Sequence, residues 1–91
     1  MAALRLLISG RVQGVGFRAF VEREAQKRGI RGWVRNRADG TVETLLIGEA
    51  AVIAEIEAAC RRGPMLASVK AVERSAAEDD GSAGFAQRRT Q

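Results

Sequence analysis

The 91-residue chain holds 15 Lys and Arg against 11 Asp and Glu, with no His, a formal net charge of +4 and a sequence pI of about 10.6. A chain of this length makes one small domain, expected over residues 1–91, that buries about 60–65% of its unfolded surface, and its 46% apolar and 29% charged content is that of an ordinary globule. The lone Cys60 excludes an intrachain disulfide, and the apolar run near the amino terminus is too short for a signal peptide or a membrane span, being broken by Arg5 and closed by Gly10-Arg11.

These features predict a cytoplasmic protein without a membrane partner. Only Lys27 and Lys70 are lysines, so the basic excess is arginine. That balance favours an anionic partner, whether a phosphorylated metabolite, a nucleic acid or an acidic surface, without choosing among them.

Leu4 to Ser9 reads as a buried strand. Phe17 to about Arg28 follows as a helix with Phe17, Phe20, Val21 and Ala25 on one side, ended by Gly29. Arg31 to Ala38 alternates as a strand, Asp39-Gly40 is a two-residue hairpin signal, and Thr41 to Ile47 returns as its partner. A second helix from about Glu49 to Arg62 carries Val52, Ile53, Ile56, Ala59 and Cys60 on one stripe, and Gly63-Pro64 stops it. Leu66 to Arg74 reads as a strand, Ser75 to Ser82 as a polar loop, and Gly84 to Arg89 as a short last strand before a fraying end.

The order βαββαβ with a small extra β predicts an α+β, ferredoxin-like sandwich: one antiparallel sheet with both helices on one face. The first and third strands then lie centrally and the second and fourth form edges. Arg31, Arg35, Arg37, Lys70, Glu73 and Arg74 fall on those edges, where charge discourages edge-to-edge association.

Between the first strand and the first helix lies Gly10-Arg11-Val12-Gln13-Gly14-Val15-Gly16-Phe17-Arg18. Glycine accepts positive φ and lets successive N–H groups turn toward one concave anion site. The helix start adds its own free N–H groups and the positive end of its dipole, and Arg18 adds a planar fork of donors. That is the chemistry of a phosphate cradle. The residues alone leave a second reading open, a glycine-rich turn with Arg18 on the solvated helix face beside Glu22.

A second motif, Gly32-Trp33-Val34-Arg35-Asn36 followed by Gly40, Val42 and Gly48, occupies the hairpin that the topology sets beside that loop. With Gly10-x-Val12-Gln13-Gly14-Val15-x-Phe17-Arg18 it resembles the signatures of the acylphosphatase family, and Gly63-Pro64 followed by Ala67, Val69 and Val72 is similar too. The resemblance implies hydrolysis of the carboxyl–phosphate bond of acyl phosphates, with no metal or organic cofactor. It implies that Arg18 grips the phosphoryl oxygens, that the amides of Gln13, Gly14, Val15, Gly16, Phe17 and Arg18 cradle them, and that Asn36 holds the attacking water. It also implies inorganic phosphate as product and inhibitor, and a monomer. These residue types suit the task, since phosphoryl transfer is catalysed chiefly by positioning and electrostatics, and a carboxylate leaving group with a pKa of about 4–5 needs no protein acid.

Other residues have plainer readings. Trp33 is expected to pack rather than to bind, Cys60 to sit in the core, and Asp79-Asp80 to be a solvated loop rather than a cation site. Gln87 stands where the family's last strand carries an apolar residue, which puts the pairing of the tail in question. RNA binding by a basic ferredoxin-like domain is the competing class, but stacking on bases wants exposed aromatics, and two of the three Phe residues belong to the first helix. A noncatalytic phosphate-binding relative is the third possibility.

Overall fold

The computed structural model describes residues 1–91. Its elements in chain order are β1 (Ala2–Arg11), α1 (Phe17–Lys27), β2 (Arg31–Asn36), β3 (Val42–Gly48), α2 (Ala50–Arg62), β4 (Ser68–Ala76) and β5 (Phe85–Arg88). The strands form one sheet in the order β4-β1-β3-β2-β5. The α+β, ferredoxin-like layout expected from the order of elements is therefore present.

Alternation in the strands explains how the sheet finds its two faces. In β1, Leu4, Leu6 and Ile8 turn to the core while Arg5 and Leu7 turn away, and in β3 Val42 and Leu46 turn inward. Against this face α1 buries Phe17, Val21 and Ala25, and α2 buries Ile53, Ile56, Ala59 and Cys60. Helix α1 closes in a Schellman turn, with Ile30 N–H donating to Ala25 O at 2.9 Å and Gly29 N–H to Gln26 O at 3.2 Å. Cys60 is a core residue as expected, and burial pushes its thiol up to about 12.

Several expectations need correction. The strand β2 is not an edge, because β5 pairs with it in parallel through Gly32↔Phe85, Trp33↔Ala86, Val34↔Gln87 and Arg35↔Arg88, which makes the sheet mixed. Short-range pattern cannot reveal a parallel pairing across some fifty residues. Arginines of β2 therefore do not guard an open edge. Arg35 instead lies over the Trp33 ring at 4.8 Å, with Arg88 of β5 also over it at 4.9 Å. Trp33 packs, as expected, with Leu45 and Ile47 on the face away from the helices.

The hairpin is also wider than a two-residue turn. Asn36 pairs with Val42, Arg37 N–H donates to Thr41 O at 2.8 Å, and Gly40 N–H donates to Arg37 O at 3.1 Å. Ala38, Asp39 and Gly40 thus form a three-residue loop, in which Gly40 takes φ 93° after the turn. Strand β4 begins at Ser68, where pairing with Arg11 begins, so Leu66 lies outside it and is exposed.

Nor is Asp79-Asp80 merely solvated. Asp79 pairs with Arg31, and Asp80 accepts from Trp33 Nε1 at 3.1 Å, so the loop before β5 is tied to the helix-free face of the sheet. Arg31 holds the Asp79 carboxyl below the usual carboxylate range, and Ser82 does the same for Asp80.

Candidate active site

The loop between β1 and α1 presents a row of unused donors. Gly14 has φ 73° and Gly16 φ 78°, while no residue other than glycine has positive φ, so the sign alternates across Val15. Such alternation turns successive N–H groups toward one side of the chain. None of the backbone N–H groups from Gln13 to Arg18 donates to another backbone group, and Gly16, which precedes the helix, offers no side-chain cap. These donors lie where the positive end of the α1 dipole falls. A Cβ at Gly14 or Gly16 would meet nothing within 4 Å, so these positions need glycine for φ and leave the loop open above the backbone.

Arg18 lies one residue into α1 and is half-buried. Its Nη1 donates to Arg88 O of β5 at 3.1 Å, and it forms no ion pair. Pairing with Glu22 does not occur, because Glu22 accepts from Gln87 Nε2 at 2.9 Å and from Gln26 Nε2 at 3.4 Å. This answers the question raised by Gln87: its side chain turns to the helix layer, where a polar partner on α1 replaces apolar packing. The other N–H groups of the Arg18 guanidinium have no partner within the protein.

Asn36 closes β2 and is half-buried on the helix side of the sheet, two residues beyond buried Val34. Its backbone O accepts from Gln91 N–H at 3.0 Å, and Gln91 O accepts from Ala38 N–H at 2.7 Å. The segment after β5 therefore touches Asn36 with its far end, while β5 itself touches Arg18 at Arg88. Gln13 makes the other connection. Its Nε2 donates to Arg37 O at 2.8 Å and to Thr41 O at 2.9 Å, joining the loop between β1 and α1 to the hairpin one residue past Asn36.

Sequence reasoning missed Glu43. This residue is 4% exposed on β3, and it meets Arg5, Arg35 Nε at 2.7 Å and Arg37 Nη1 at 3.1 Å. Burial alone would raise its carboxyl, but hydrogen bonds from Arg5 and Arg35 outweigh that and hold it below the usual range. A single acid inside the apolar run Val42 to Ile47 was the available signal. Asp39 braces the same hairpin by accepting from Thr41 Oγ1 at 2.6 Å and Thr41 N–H at 3.0 Å. No group of three His, Cys, Asp or Glu could hold a metal ion, and no helix is long and apolar enough to cross a membrane.

These elements define a ferredoxin-like α+β protein with free amide donors and an arginine without an acidic partner at the start of its first helix. The acylphosphatase family model matches residues 4–87. An acylphosphatase of Acidiphilium cryptum is 49% identical over 90 residues, covering 99% of each chain. The crystal structure of acylphosphatase from Bacillus subtilis superposes with a TM-score of 0.93 at 37% identity, covering 97% of this chain and 99% of that one. HypF of T. kodakarensis matches 97% of this chain with a TM-score of 0.85 at 30% identity, but only 12% of its own length is involved. The chain belongs to the acylphosphatase family.

Proposed function

We propose that the enzyme hydrolyses the carboxyl–phosphate bond of acyl phosphates with the phosphoryl group held by Arg18 and the amides of Gln13 to Arg18, and with the attacking water oriented by Asn36. The observation that carries the assignment is the run of free N–H groups around Gly14 and Gly16, set beside a guanidinium that no carboxylate neutralises. Water attacks phosphorus, the bond from phosphorus to the acyl oxygen breaks, and carboxylate and inorganic phosphate leave. A water proton passes to the phosphate oxygens. Charge spreads over the equatorial phosphoryl oxygens in the transition state, and preorganised amides and a guanidinium stabilise it without reorganising.

Positive charge comes from protein groups, so the reaction proceeds without a metal. Inorganic phosphate fits the same donors and is expected to inhibit competitively. The buried thiol of Cys60 and the absence of any disulfide suit a reducing cytoplasm.

Two substitutions separate the roles. Arg18→Ala should abolish measurable phosphate inhibition and nearly all turnover, with an unchanged circular dichroism spectrum. Asn36→Ala should lower kcat severely while phosphate inhibition persists, because only water positioning is lost. Equal loss of phosphate affinity in a folded Asn36 variant would overturn the division.

A further inference from the structure

We infer that the Gln13 side chain is a positioning residue, fixing the water-orienting hairpin against the phosphate cradle rather than binding phosphate itself. This rests on the roles just given to Arg18 and Asn36. Both side-chain protons of Gln13 face main-chain carbonyls, with Nε2 at 2.8 Å from Arg37 O and 2.9 Å from Thr41 O. A primary amide carries two N–H donors, so none remains for a phosphoryl oxygen. What the side chain has left is an acceptor oxygen, which a phosphoryl group repels. Its backbone N–H stays free and belongs to the cradle.

The two carbonyls are well chosen for a clamp. Arg37 follows Asn36, and Thr41 precedes Val42, the partner of Asn36 across the hairpin. One amide thus grips both strands of the hairpin at its loop end, just beyond the residue that holds the water. The tip, Ala38, Asp39 and Gly40, is exposed, and the hairpin's other restraints near it are its own Arg37–Thr41 bond, the Glu43 ion pairs, the Gln91 contacts and the pairing of Val42 with Ile8 of β1. The Gln13 bonds run directly from the loop before α1 to the end of the hairpin, whereas the strand pairing at Val42 and the Arg18–Arg88 bond reach it through β1 and β5. The distance and angle between attacking water and phosphoryl group are set across that joint. A displacement of about 1 Å between reacting groups can cost on the order of 100-fold in rate.

The test measures kcat, KM and the inhibition constant for inorganic phosphate with benzoyl phosphate as substrate. Gln13→Met keeps the length of the side chain and removes both donors. It should lower kcat about 10- to 100-fold while the phosphate inhibition constant changes less than about threefold. Gln13→Asn keeps the amide one methylene short and should fall between wild type and Gln13→Met, which also serves should the methionine variant fold poorly. The double variant Gln13→Met with Asn36→Ala should be little slower than Asn36→Ala alone, since a residue acting through Asn36 has nothing to position once it is gone.

Unchanged kcat in a folded Gln13 variant, even with lower stability, would overturn the inference by leaving only a structural role. A phosphate inhibition constant that rises in step with the loss of kcat would make Gln13 a phosphate ligand instead. Additive losses in the double variant would show action independent of Asn36. Failure of the underlying reading has a different signature, a normal kcat in Asn36→Ala by itself.

Discussion

Replacing Glu43 by Gln should destabilise the sheet more than any other change of a single charge. The carboxylate is almost fully buried, and Arg5, Arg35 and Arg37 converge on it. Glutamine keeps the shape but replaces one accepting oxygen by an N–H2 donor facing the guanidinium groups, and removes the negative charge that they surround. Breaking one partner of a buried ion pair typically costs about 3–5 kcal/mol. Here Arg5 and Arg37 side chains are 36% and 35% exposed, so water recovers part of that loss and about 2–3 kcal/mol is expected. In a domain of this size that corresponds to about 10–15 °C in Tm. Urea unfolding at pH 7 should show the midpoint falling with an unchanged slope. The Glu43 carboxyl is held below its ordinary value, so its contribution is complete above that value, about 4.3, and is lost as pH falls through the lower folded value. The difference between wild type and Glu43→Gln should therefore shrink as pH drops below about 5. A difference under about 1 kcal/mol at neutral pH, or one that stays constant down to pH 3, would refute this account of the network.

Gly32→Ala would bring a Cβ to 1.9 Å from Leu45 O at φ 134°, so a loss above about 3 kcal/mol is expected by urea unfolding, whereas Gly48→Ala meets only the end of the Ile30 side chain rather than backbone and should cost less. Burial raises the Cys60 thiol to about 12, so iodoacetamide at pH 8 should leave native protein unmodified and fully active by mass and assay, and rapid labelling would show that the α2 core opens. The leaving group offers a third check: acetyl and benzoyl phosphate should turn over and alkyl phosphates should not. An alkoxide is about ten pKa units more basic than a carboxylate, at up to about 1.4 kcal/mol per unit without proton donation, and comparable kcat/KM values would reveal an unrecognised acid.

Periodicity and punctuation determined the element order, because alternation and helical stripes are local consequences of which side chains leave water. The two helices, the buried stripe ending in Cys60 and the glycine-rich loop before Arg18 were all legible at that level. The signature residues around Gln13 to Arg18 and Asn36 pointed to the family before any distance was known. What the sequence could not contain is which distant groups share a site. That β5 covers β2, that Arg88 O receives Arg18, that Gln87 finds Glu22, and that Arg5 joins the hairpin's arginines on Glu43 depend on chain crossings of tens of residues. Local propensity carries no information about such pairings, because their free energy appears only when the whole sheet assembles. Gln13 shows the boundary within one residue: its backbone place in the cradle follows from the motif, while the direction of its side chain was decided by a hairpin that closes twenty-eight residues later.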